Sequence, residues 1–200
     1  MLSDQLWEQW VMLQKQSFHF AAKKDYSRAI EGLNRFLQEQ DSPELRREIL
    51  GLRGELMERQ GRIREAKEDY LAAHALSTPA TYGRYVLELM LASLHRKVQD
   101  SAGARSWFLK ALETVVEDSL TSGATAIAGL VEQRGIAELT PRERILCEKA
   151  LQQAWRLFSL PGEPELGNLH SALKALDDAS MRPLPSTGVH EPLSSPKGHE

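Results

Sequence analysis

The 200-residue chain carries 25 Lys and Arg against 28 Asp and Glu, a formal charge of −3 with a pI near 6.1, which leaves no excess of cations to neutralise a nucleic-acid backbone. Its 42% apolar and 26% charged residues suit a folded globular body, and the single cysteine, Cys147, cannot close an internal disulfide. The start Met1-Leu2-Ser3-Asp4 lacks a cationic leader, and no apolar run approaches the roughly 20 residues that span a bilayer, so the expected setting is cytoplasmic, with no nucleic acid and no membrane as partner.

Leu, Ala, Glu, Gln, Arg and Lys dominate and alternating β-branched runs are missing, which predicts an all-α protein. Spacing and punctuation predict helices over 4–23, 25–40, 43–60, 62–77, 80–97, 101–118, 123–138, 141–159 and 164–179. Ser42-Pro43 and Thr78-Pro79 each pair an N-cap residue with a proline suited to the first helical position. Thr140-Pro141-Arg142-Glu143 is a capping box. Gly61 interrupts one helical pattern, and Pro161-Gly162 ends another. Beyond Arg182 the chain holds four of its nine prolines and few large apolar side chains, so 181–200 is expected to be a disordered tail.

Such short connections make successive helices antiparallel neighbours, a string of helical hairpins. Aligned on the second helix of each hairpin, Ala29, Ala66 and Ala104 fall 66 − 29 = 37 and 104 − 66 = 38 residues apart. Each is followed four residues later by a large apolar side chain: Leu33, Tyr70 and Phe108. The middle unit adds Gly54, Met57, Gly61, Ala73 and a closing proline, Pro79. In this pattern the chain resembles the tetratricopeptide repeat (TPR) family, helix–turn–helix units of about 34 residues, over roughly residues 10–115. The resemblance implies a right-handed TPR-like solenoid of antiparallel helix pairs. Three pairs would occupy 1–118, and a divergent pair with a capping helix would continue the same domain over 119–180. Leu146, Ala150, Ala154 and Leu157 form one apolar stripe there, with Trp155 and Phe158 beside it, and Leu166, Leu169, Leu173 and Leu176 form another.

No catalytic constellation emerges. Glycine-rich phosphate loops, a Gly-x-Ser-x-Gly elbow and His-Glu-x-x-His are all missing from the sequence, and the six histidines have no helically spaced ligand partners. No catalytic residue, metal or cofactor is therefore expected. Cys147 reads as a buried, inert thiol, and the balanced charges of 44–69, Arg53 and Asp69 among them, read as a mixed solvated face.

In a TPR-like stack the first helix of each pair lines a concave face that receives a peptide or helix of another protein. Matched residue by residue, that face would present Gln14, Lys15 and Phe18, then Glu48, Glu55, Glu58 and Arg59, then Met90 and Arg96. The expected function is a non-enzymatic interaction module or adaptor. A toxin-neutralising immunity protein, a dedicated secretion chaperone and the regulatory subunit of an enzyme are the alternatives. The family's Lys/Asn/Arg clamp for a C-terminal carboxylate is not reproduced: Gln14, Phe18 and Leu52 stand at its positions.

Overall fold

Helix formers broken by short polar links give helices and nothing else among the residues that the computed structural model describes, 4–78, 82–118, 126–127 and 139–157. They are α1 (Asp4–Ala22), α2 (Tyr26–Gln38), α3 (Pro43–Arg59), α4 (Ile63–Ala75), α5 (Tyr82–Lys97), α6 (Ser101–Glu117) and α7 (Pro141–Leu157). Local chemistry sets their ends. Ser42 Oγ accepts the N–H of Leu45 ahead of Pro43, while Arg46 of α3 donates to the carbonyls of Leu37 and Gln40 where α2 stops. The Thr140 capping box closes from both sides, Thr140 N–H donating to Glu143 Oε2 at 2.8 Å and Glu143 N–H to Thr140 Oγ1 at 3.4 Å. Pro79, most of the expected helix 123–138, the whole of 164–179, the side chains of Trp155 and Phe158, and the tail 181–200 lie outside the described residues.

One turn geometry recurs in the links 23–25, 60–62 and 98–100. Lys24, Gly61 and Gln99 take left-handed backbone, with φ of 61°, 81° and 60°. The following residue donates its N–H back across the helix end, Asp25 to Phe20, Arg62 to Met57 and Asp100 to His95, each at 2.9 Å. This Schellman closure satisfies carbonyls that the helix leaves open and turns the chain back on itself. Asp25 and Asp100 then cap the next helix through the N–H groups of Arg28 and Gly103, whereas Arg62 makes no side-chain cap bond. The left-handed residues lie 61 − 24 = 37 and 99 − 61 = 38 apart, the same intervals as the alanines. Only the middle one is glycine, and a side chain in this region costs energy that glycine avoids. Lys24→Gly and Gln99→Gly are each expected to raise stability by up to about 1 kcal/mol in urea unfolding. A loss in both variants would show that these side chains hold the turns.

Among the described residues, every extensive helix interface joins elements consecutive in this order, those of α3 with α4 and α5 with α6 being the largest. Ala29, Ala66 and Ala104 are all buried at these crossings. Gly54 explains the closeness of α3 and α4: a Cβ there would lie 2.7 Å from the ring of Tyr70, which is itself fully buried. Two apolar patches share α5. Leu87, Leu91 and Leu94 pack toward α1–α4, while Tyr85 and Ala92 pack toward α6 and, beyond it, Ile127, Leu139, Cys147 and Ala150. Trp107 touches both patches, so α7 belongs to the same body as the first three pairs.

Polar groups are built into this core where the sequence suggests solvent. Arg53 and Asp69 are not on a solvated face. The Arg53 guanidinium grips the Asp69 carboxylate with two bonds of 2.7 and 2.6 Å and gives a third, of 2.7 Å, to Asn34 Oδ1. These bonds tie α2, α3 and α4 together around a carboxylate that is almost fully buried. Glu88 on α5 is buried too, with Oε1 held by His74 Nε2 at 2.9 Å and by Arg84 Nε at 3.2 Å.

Candidate partner-binding groove

Alternate helices face one side of the body. Trp10, Gln14 and Phe18 recur every fourth residue of α1 and so share a face. They form one wall of an open groove of about 340 Å³. Arg47, Glu48, Gly51, Leu52 and Glu55 of α3 form its floor, and Gly83, Val86, Leu87 and Met90 of α5 its far wall. Trp10, Leu52 and Leu87 are buried at the base, whereas Phe18 is 43% exposed at the lip. Gly51 keeps the floor low, since its missing side chain would begin 3.7 Å from Leu87 Cδ2. Trp7, 48% exposed, continues the α1 stripe three turns before Phe18.

The acidic side chains around this groove are already engaged. Arg47 donates to Glu48 at 2.7 Å, and Arg59 pairs with Glu55 one turn away. Glu58 accepts from the Tyr70 hydroxyl at 2.8 Å and from Lys97 of α5. Burial, with the Glu58 carboxylate beside it, pushes the Tyr70 phenol above its ordinary range, so the hydroxyl stays protonated and donating. The lining retains one cation, Arg47, against two carboxylates, Glu48 and Glu55.

Of the nine residues expected at a partner face, Gln14, Phe18, Glu48, Glu55 and Met90 come together here. Lys15, Arg59 and Arg96 are exposed and outside the lining, and Glu58 serves the α3–α4–α5 contact just described. Trp10, Arg47, Leu52, Gly83 and Leu87 line the groove without having been expected there. Helical spacing carried the signal for several: Trp10 precedes Gln14 by one turn, and Gly83 and Leu87 each lie one turn from another wall residue of α5.

Other chemistry is sparse. Burial pushes the Cys147 thiol up to about 12, with Glu143 and Glu148 adding to the rise, so it carries no thiolate at neutral pH. Among the described residues, no three His, Cys, Asp or Glu side chains converge as a metal site, and no helix is long and apolar enough to cross a membrane.

No protein-family model matches the chain, and no curated protein does either. A solved structure, that of BtubC (BKLC) from P. vanneervenii, is similar with a TM-score of 0.64 and 20% sequence identity, covering 84% of this chain and 71% of that one. At that identity the likeness is one of fold.

Proposed function

We propose that the chain is a TPR-like right-handed solenoid acting as a non-enzymatic adaptor in the cytoplasm, holding a segment of another protein in the groove of α1, α3 and α5. The recurrence of one turn at intervals of 37 and 38 residues supports this reading, together with the shared groove that α1, α3 and α5 line. Phe18 and Met90 offer apolar contact on opposite walls, and the carboxylates of Glu48 and Glu55, held in place by Arg47 and Arg59, can accept further donors from a partner. The segment that fits has an apolar anchor flanked by Lys or Arg.

The test is capture from native extract by the parent and by Phe18→Ala, followed by calorimetry with the recovered protein. Phe18→Ala is expected to weaken binding by about 2 kcal/mol, as loss of an apolar anchor does. Glu48→Lys with Glu55→Lys is expected chiefly to slow association and alter its salt dependence. Equal binding by the parent and both variants would remove the groove from the account.

A further inference from the structure

The pair α1–α2 has a second apolar flank, on the side away from α3. Shifted by the 37-residue interval, Leu13, Phe20 and Phe36 correspond to Leu50, Met57 and Ala73 of the next pair. Those three are buried at 7%, 6% and 0% exposure. Leu13, Phe20 and Phe36 are only partly covered, and Met12 beside them is 62% exposed. Among the described residues, no further helix packs extensively on that flank of α1–α2. The α3–α4 pair packs against α2 on one side and α5 on the other. By contrast, α2 reaches α3 through Asn34 and Ser27, bonded to Arg53 and Gln60. Helical geometry puts Gly32 on the opposite side of α2 and Arg35 about a quarter turn from the α3 contact, at the outer edge of that flank.

There an open cleft of about 640 Å³ runs between α1 and α2. Ser17, 1% exposed, lines it with an Oγ that has no hydrogen-bond partner. Arg35 and Glu39 are exposed on its α2 side, one turn apart, and among the described residues neither forms an ion pair. Arg preceding Glu at this spacing is the poorer order for pairing within a helix. A two-fold axis passing between them brings Arg35 of each chain to Glu39 of the other. The lip is thus complementary to itself, which is what an isologous contact requires.

We propose that the outer flank of α1–α2 is a homodimer interface, covered by the same flank of a second copy, with Met12, Leu13 and Phe36 at its apolar centre. Phe18 and Gln14 lie on the other face of α1, so the partner groove stays open and this assignment stands independently of it.

Sedimentation equilibrium on the full chain tests the interface. At high concentration the parent is expected at twice the 22.5 kDa chain mass, with no growth beyond it. Arg35→Glu and Glu39→Arg are each expected to weaken the dimer about a hundredfold or more, because like charges then face one another. Both positions are exposed, so the helical circular dichroism and melting of dilute protein stay at the parent's values. Mixing the two variants is expected to restore a one-to-one dimer, one lip then presenting two carboxylates and the other two guanidinium groups. A parent that stays monomeric, single variants as dimeric as the parent, a mixture that does not pair, or open-ended growth would each overturn the proposal.

Discussion

Asp69→Ala is expected to destabilise the fold by about 3–5 kcal/mol, because it strands the Arg53 guanidinium among α2, α3 and α4 without its counter-charge. The cost comes from desolvation rather than from the strength of the pair. Two charges drawn out of water gain little on balance from meeting, but one left alone loses everything its hydration supplied. The double variant Arg53→Met with Asp69→Leu is therefore expected to lie far closer to the parent than Asp69→Ala does. Asn34 would lose its bond to Arg53 in that variant, at about 1 kcal/mol. Urea unfolding of the three proteins separates the cases. Equal losses in the single and double variants would mean that the ion pair itself, and not the stranded charge, sets the stability.

Which charges are buried was partly legible. Asp69 lies on the stripe formed by Ala66, Tyr70 and Ala73, three residues after the first and four before the last, and all three are buried. Glu88 sits likewise between Tyr85 and Leu91 on α5. A carboxylate in core register is a sign that some cation must reach it. What the sequence does not reveal is which one. Arg53 arrives from α3, sixteen residues back, and looks no different along the chain from Arg64, which makes only an exposed pair with Glu68. The same limit applies to the groove. Gln14 and Phe18, or Glu48 and Glu55, are grouped by helical spacing alone, whereas Glu58 is drawn out of the expected set by Lys97, thirty-nine residues later. Helix ends follow nearest-neighbour chemistry, and so Ser42-Pro43 and Thr140 with Glu143 place them closely. The turns are less transparent. Gly61 advertises its left-handed backbone, but Lys24 and Gln99 adopt the same conformation with ordinary side chains, and only the recurring interval links the three.

Glu143→Ala is expected to cost about 3–4 kcal/mol, combining the loss of a helix cap with the stranding of Arg105. Glu143 is almost fully buried where α7 begins, and its Oε2 accepts from the Thr140 N–H, the Thr140 hydroxyl and the Arg105 guanidinium of α6. Burial pulls its carboxyl upward, but the two Thr140 donors and Arg105 outweigh burial and hold it below the ordinary value of 4.5. A carboxyl whose folded value lies below its unfolded one favours folding in the ionised form. Its contribution is thus complete above the ordinary value of 4.5 and is lost as pH falls through the lower, folded value. Glu143→Gln keeps an acceptor for the Thr140 N–H but removes the charge. The gap in unfolding free energy between the parent and Glu143→Gln is expected to be constant from neutral pH down to the unfolded value and to narrow below it. Urea midpoints of the two proteins, measured from neutral pH to about pH 3, test this. A gap that persists unchanged in acid would mean that the charge of Glu143 contributes nothing, and that shape and hydrogen bonding alone fasten α7 to α6.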